Sequence, residues 1–497
     1  MTTGNIAALL SGAAEQWPDS VAVIDTAAGV SLTWSQLDAA ANGLAQRLTD
    51  QGVRPGDRVV LRLPTSADFA VTLFGVTRCG AIAVPVSPLA PRPELDIVLA
   101  DSGARLLISR SPDDGTAEIP ALRPEIGPGG DFAASGGGED IAVLSYTSGT
   151  TGPPRGVMLS HRALLANLEQ LGRLDPPPIG HADRVLIAIP LFHVYGLGPG
   201  LLLSAAVGAT AVVAERFDAR KALQVCAEHR VTVIGGVPAM YVELAALEPD
   251  ELAAGLATVR LLTSGAAPLH PKVLATIREK TGLGVFEGYG LTETAPVVTS
   301  TLVTGFPKPG STGRPLPGVE VRLVGPDGSG ERVPLDPDAP EDVFEDDGDD
   351  TGLVAIRGAN LFSGYWPDGR HGPDADGWFR TGDLGFVDRD GGLHLVDRAN
   401  DLIIVNGFNV FPHEVEEVIG QLPEVAEVAV VGVLDERSGE AVKAVVVPEP
   451  GASLSEQQVV DHCAANLARY KVPHNVEFAD RLPHSPTGKL RRVQLRG

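Results

Sequence analysis

Cysteine is scarce in this chain: three in 497 residues, Cys79, Cys226 and Cys463, far apart and without metal-ligand or redox spacing. This excludes a disulfide framework and a thiolate metal site, and it fits a reducing compartment in which all three are core residues. Long hydrophobic runs are missing too. The longest apolar tract, residues 201–214, is short for a membrane span and is interrupted by Ser204, Gly208 and Thr210. No basic segment precedes a long apolar one at the N-terminus, so no secretory signal is read there. Positive charge is the third deficit, with 39 Lys and Arg against 63 Asp and Glu and a formal net charge of −24. Such a surface repels nucleic acid and anionic membrane, so any bound nucleotide must be met by local cations. The expectation is a soluble, cytoplasmic protein with no nucleic-acid partner and no integral membrane association.

What is present is alternation. Leu37, Ala41, Leu44 and Leu48 recur at helical spacing before Gly52, and residues 58–63 then read as a strand. Residues 67–79, 81–86, 94–99 and 105–109 repeat the alternation, which predicts helices covering a largely parallel sheet. Residues 126–139 read as a flexible, Gly-rich connector with too little apolar content to fold alone. A β-rich region begins near residue 310, and residues 317–324 alternate as a half-solvated strand. The acidic, Pro-rich stretch at 325–351 reads as a mobile insertion. The last hundred residues carry a separate pattern of strands at 402–405, 425–433 and 441–447 with a helix at 412–422. A second helix is expected to open on a capping box from Ser453 to Glu456, ahead of Val459, Cys463 and Leu467.

The most informative stretch is residues 146–157, where Thr147, Ser148, Gly149, Thr150, Thr151 and Gly152 lead through two prolines to Arg155. It follows the apolar run 141–145. Glycines let backbone N–H groups approach an anion, hydroxyls add donors, and one long cation neutralises the remaining charge. The order does not fit the P-loop, because no Gly-Lys-Ser/Thr follows.

Further along, Phe192-His193 follows a predicted strand at 184–189. Gly265, Ala266 and Ala267 follow another, where small residues permit close approach of a planar base. In Gly288-Tyr289-Gly290-Leu291-Thr292-Glu293, Tyr289 can stack on a base, Thr292 can donate to a phosphate and Glu293 can hold Mg²⁺. Asp383 can accept two ribose hydroxyls, and Arg398 can bind ribose or phosphate.

Taken in order from about residue 20 to the end, these stretches resemble the adenylate-forming superfamily of acyl-CoA synthetases, luciferases and peptide-synthetase adenylation domains, and most closely the fatty acid–CoA ligases. The resemblance implies an α/β fold. A large N-terminal domain of layered α/β subdomains plus a β-rich subdomain occupies residues 1–399, and a small mobile α+β C-terminal domain occupies 400–497. It also implies ATP, Mg²⁺ and coenzyme A as cofactors, with a carboxylate converted to acyl-AMP and then to a thioester. The ATP site would take residues 147–152, Arg155, Gly265, Ala266, Ala267, Gly288, Tyr289, Gly290, Thr292, Asp383 and Arg398. The acyl pocket would be lined by His193, Gly265 and Gly288.

Catalysis would rest on Thr292, Glu293, His193 and Lys489, the last in the family's Pro-x-x-x-x-Gly-Lys setting at residues 483–489. Asn400 would be the hinge, and Gly407 and Phe408 the face presented to coenzyme A. Arg155 stands where the family usually has lysine, and Asn400 where it often has aspartate or lysine. Few aromatics and the stretch 405–410 point to an aliphatic acid. A second reading passes the acyl group to an acyl carrier protein or stops at acyl-AMP. A third is a non-catalytic nucleotide-binding paralogue. A monomer or homodimer is expected.

Overall fold

The computed structural model describes residues 4–116, 119–124, 127, 129–147, 154–325, 331–335, 351–398, 401, 403–405, 408–435, 439–467, 469–484 and 490–496. These fall into two compact units, residues 1–320 with 356–379, and residues 321–355 with 380–497. The domain boundary expected at 399/400 lies outside the described residues.

The first unit contains two sheets. The smaller has six strands in the order Ala121–Leu122, Leu106–Ser109, Arg58–Arg62, Ile82–Pro85, Ile141–Thr147 and Arg155–Ser160. Its first five strands run parallel, and the last returns antiparallel, with Thr147 paired to Arg155. The phosphate-loop residues 148–153 therefore join the two arms of an edge hairpin. Residues 155–160, which periodicity left unassigned, form the second arm. Helix Ala67–Arg78 starts at Ser66, whose hydroxyl accepts from Phe69 N–H, and carries Asp68 in its first turn and Arg78 in its last. Both charges suit the helix dipole. The Arg78 guanidinium is buried and paired with Asp38 at 2.6 Å, which ties this helix to Trp34–Asp50. The Gly-rich connector is held by its neighbours, since Gly129 N–H donates to Ala39 and Ser135 N–H to Arg78.

The larger sheet has nine strands, of which Val285–Gly290, Leu261–Ser264, Val233–Gly236, Arg184–Ile187, Thr210–Val213 and Val21–Asp25 are neighbours and all parallel. Their central residues Val285, Leu262, Ile234, Leu186 and Val212 are buried and share one core with Leu223, Cys226 and Tyr241. Parallel strands buried on both faces read as continuous apolar runs, as these do. Cys226 is core, and burial pushes its thiol up to about 12. All three cysteines are buried and free, as expected.

In the second unit, Gly439–Pro448 pairs antiparallel with Val425–Asp435 and parallel with Asn475–Phe478, and Ile403–Val405 pairs with Phe408–Val410. Helices Pro412–Ile419 and Glu456–Asn466 contribute Val415, Ile419, Val459 and Cys463 to its core. The capping box expected at Ser453 lies two residues later. Ser455 is the extended cap, and it exchanges hydrogen bonds with Gln458. Glu456 instead opens the helix, where its charge suits the dipole.

The acidic insertion also departs from the mobile loop expected for it. Residues Glu331–Leu335 form a strand antiparallel to Val319–Val324, while 326–330 and 336–350 lie outside the described residues. Among the described residues, no helix is long and apolar enough to cross a membrane.

Candidate active site

The carboxyl ends of four adjacent parallel strands carry several of the sequence candidates of the first unit, while Thr147 and Arg155 lie on the smaller sheet. Arg184–Ile187 leads into His193, Val233–Gly236 into Val237, Leu261–Ser264 into Gly265-Ala266-Ala267, and Val285–Gly290 into Thr292 and Glu293. Loops at this end of an open parallel sheet are where ligands bind, because strand directions and helix N-termini converge there.

His193 is half-buried, and its Nδ1 accepts from the Tyr195 N–H at 3.2 Å, which leaves the proton of a neutral ring on Nε2. Tyr195 lies two residues further on, and no sequence signal points to it. Its hydroxyl lies 3.2 Å from Thr263 Oγ1, and burial pushes the phenol up to about 12. A Cβ at Gly265 would stand 3.2 Å from the Tyr195 ring. The missing side chain at 265 is therefore room already taken by tyrosine. Next to it, Ala266 has φ 71°, a left-handed conformation unfavourable for a residue with a Cβ. Gly288 faces the Thr299 carbonyl, 3.0 Å from where a Cβ would lie. Gly290 is obligatory, because a Cβ there would meet the Pro296 carbonyl at 1.9 Å. Tyr289 is buried in the strand.

Thr292, Glu293 and Thr294 form a single 3₁₀ turn. Its fixings come from far along the chain: Asn360 Nδ2 donates to Thr294 O at 2.8 Å, Phe362 N to Glu293 O at 2.9 Å, and the Tyr365 hydroxyl to Glu293 Oε1 at 2.7 Å. Tyr365 also lies beneath Arg155, whose guanidinium carbon is 5.5 Å from the ring centre. Arg155 is exposed at the foot of the phosphate-loop hairpin. Arg155→Lys is expected to keep pyrophosphate release within about threefold, because lysine retains the charge and can also sit over a ring. A tenfold loss would mean that the site depends on the planar fork.

Below this turn, Ser264 and Glu287 are register partners on neighbouring strands. Glu287 Oε2 accepts from Leu269 N–H at 3.1 Å and so ties down the 265–269 loop. Among the described residues, its Oε1 and Ser264 Oγ are buried without a hydrogen-bond partner. Burial raises the Glu287 carboxyl to about 7, against the smaller opposing effect of the Leu269 bond. No sequence pattern singled out Glu287 or Tyr365. The only signal was their position, one residue before a Gly-Tyr-Gly and one after Gly364.

In the second unit, Asp383 is buried and pairs in register with Arg398 across two antiparallel strands. The two ribose candidates, fifteen positions apart, are thus placed opposite one another. Ser148, Gly149, Thr150, Thr151, Gly152, Asn400, Gly407 and Lys489 lie outside the described residues. Their anchors do not: Thr147 pairs with Arg155, Val405 with Phe408, and His484 with Leu490. Glu293 offers the oxygen donor that Mg²⁺ takes, and a cation of this kind completes its shell with substrate phosphates and water, so a single protein carboxylate fits.

The family model for AMP-binding enzymes matches residues 10–366, and that for the AMP-binding enzyme C-terminal domain matches residues 414–489. The chain is 38% identical over 481 residues to a feruloyl-CoA synthase from Amycolatopsis sp, covering 94% of each. It is 34% identical over 517 residues to the long-chain-fatty-acid–CoA ligase FadD13 of Mycobacterium tuberculosis, covering 99% of this chain and 98% of that one. Among solved structures, ATP-bound MatB from Rhodopseudomonas palustris superposes with a TM-score of 0.89 at 32% identity, covering 99% of this chain and 98% of that one. The expected architecture, a large layered α/β domain with a small C-terminal domain, is the one such structures share. The chain belongs to the AMP-binding enzymes of the adenylate-forming superfamily, as an ATP-dependent acid–CoA ligase.

Proposed function

We propose that the enzyme activates a compact aliphatic acid, of short to medium chain length, with Mg²⁺ held by Glu293. The observation that carries the size limit is Tyr195. Its ring fills the space beside Gly265, and its hydroxyl is engaged by Thr263, so the room that glycine at 265 leaves is used for packing and not for a long acyl chain. A ring fixed at both ends resists displacement by an acyl chain.

A carboxylate is a poor acyl donor, because oxide is a bad leaving group. In the first half-reaction its oxygen attacks the α-phosphorus of ATP, forming a P–O bond as pyrophosphate leaves. The thiolate of coenzyme A then attacks the acyl carbon, and AMP leaves. Bound Mg²⁺ would supply charge neutralisation at the phosphates. Arg155 and the 147–152 loop would stabilise the same charge from the hairpin. His193 and Gly288 would border the acyl group, and Ala266, Ala267, Tyr289 and Gly290 the base. Asp383 and Arg398 would hold the ribose, and Thr292 a phosphate. The domain from residue 400 would hinge at Asn400 and present first Lys489, then Gly407 and Phe408.

A second reading, a hydroxylated aryl acid, is favoured by the paired Tyr195 and Thr263 hydroxyls and by the feruloyl-CoA synthase relative. The deciding experiment gives the purified enzyme ATP, Mg²⁺, coenzyme A and a pool of short, medium, long and aromatic acids, with products read by mass spectrometry. Short or medium acyl-CoA is expected. Aryl-CoA would transfer the assignment to the second reading, and acyl-AMP with unused coenzyme A would indicate a carrier-protein acceptor. Tyr195→Ala is expected to raise kcat/KM for long-chain acids by roughly tenfold relative to short ones, since each accommodated methylene contributes about 1 kcal/mol or more. An unchanged chain-length series would show that Tyr195 does not bound the pocket.

A further inference from the structure

We propose that Tyr365 is a positioning residue that couples the two ends of the triphosphate site, setting the Glu293 carboxylate with its hydroxyl and the Arg155 guanidinium with its ring. The proposal rests on reading Glu293 as the Mg²⁺ ligand and Arg155 as a phosphate partner. One side chain makes both contacts: its hydroxyl is 2.7 Å from Glu293 Oε1, and its ring centre is 5.5 Å from the Arg155 guanidinium carbon. The backbone around it is bonded to both partners' elements. Phe362 N–H donates to Glu293 O at 2.9 Å, and Trp366 N–H donates to Gly156 O at 2.8 Å, one residue beyond Arg155. Ser363 N–H donates to Met158 O and Met158 N–H to Gly364 O, so residues 362–366 form a strap between the hairpin and the Thr292–Thr294 turn. The ring is kept upright by Phe362, edge-on at 5.1 Å.

The chemistry follows from the geometry. A carboxylate that accepts a hydroxyl on one oxygen is held in one orientation, with its other oxygen directed by the same plane. A guanidinium over the ring face withdraws density from the phenol and strengthens its hydroxyl as a donor, so each partner reinforces the other. The ring also gives a stacking partner to the arginine that stands where the family usually has lysine, a contact that either cation can make.

The test uses the full chain, a non-hydrolysable ATP analogue and Mn²⁺ as a spectroscopic stand-in, with free Mn²⁺ followed by electron paramagnetic resonance. Tyr365→Phe, which keeps the ring, is expected to weaken Mn²⁺ binding to the nucleotide complex by about tenfold. Analogue binding without metal should change less than twofold, and the melting temperature should hardly move. Tyr365→Ala should weaken metal-free analogue binding as well, because Arg155 loses its support. The proposal is overturned if Tyr365→Phe leaves Mn²⁺ affinity within twofold while Glu293→Gln reduces it, because the tyrosine is then only packing. It is overturned equally if metal-free and metal-bound affinities fall together. If Glu293→Gln itself leaves Mn²⁺ binding unchanged, the metal reading of Glu293 fails, and this separates that error from an error about Tyr365.

Discussion

Replacing Lys489 with alanine is expected to lower formation of acyl-AMP from acid and ATP by about 10²–10³-fold, the cost of removing one preorganised charge from a transition state. Thioester formation from supplied acyl-AMP and coenzyme A should persist within a few-fold. The reason lies in where charge develops. At the α-phosphorus, negative charge spreads over oxygens as pyrophosphate departs, and a lysine there has work to do; at the acyl carbon the phosphate is already leaving with its charge formed.

The variant should fold, because the described anchors of the segment are made by other residues. His484 bridges Leu490, Arg491 N–H donates to Pro483 O at 2.8 Å, and Leu490 packs against the cluster of Ala429, Val445 and Leu482. The check is pyrophosphate release in the first half-reaction and acyl-CoA formation in the second, measured on one preparation. Equal loss of both would refute a separate role for Lys489, and the alternation of the C-terminal domain would lose its main support.

The second large effect is a change in stability with pH. Glu287 is buried on the strand below the 265–269 loop, and its carboxyl titrates at about 7 against an ordinary value of 4.5. A raised carboxyl pKa means that the charged form is disfavoured in the fold. Its stabilisation is complete below about pH 4.5 and is lost as pH rises through 7. Glu287→Gln keeps an oxygen for Leu269 N–H and cannot ionise. The variant should therefore be more stable than wild type by roughly 3 kcal/mol above pH 8, and the gap should close towards pH 5.

Other groups titrate in the same range. His161 is buried with its pKa lowered to about 4 and accepts from Ile6 N–H, so it destabilises the fold as pH falls below its ordinary value of 6.5. Subtracting variant from wild type at each pH removes that contribution. Urea titrations at pH 5, 6.5 and 8 measure the difference directly. Parallel curves would mean that Glu287 is ionised at no cost, and that its unpartnered oxygen is met by water.

Local chemistry alone makes much of the candidate site readable in the sequence. A loop of glycines and hydroxyls ending in a cation has the chemistry to hold an anion, because the groups that would bind phosphate belong to the loop's own backbone and side chains. The same holds for Thr292 beside Glu293. Helix starts are legible where the cap is local: Ser160, whose hydroxyl accepts from Ala163 N–H, opens His161–Gly172. The capping box at Ser455 was missed by two residues, because two serines compete for one helix start and only the packing of Val459 and Cys463 selects between them. Strand 331–335 was hidden by acidic composition, and its partner is the strand Val319–Val324.

By itself the sequence determined the reaction class, the order of the loops and the alternation that builds parallel sheets, since each depends on residues close together in the chain. Only the tertiary structure decided which distant groups meet. Tyr365 reaches Glu293 across 72 positions, and Tyr195 fills the space that Gly265 leaves, 70 positions away. Ser264 comes to lie beside Glu287 by strand register. Such pairings are made by sheet order and close packing, which no periodicity records, because a side chain's neighbours across a parallel sheet are set by the crossovers between strands and not by the strands themselves.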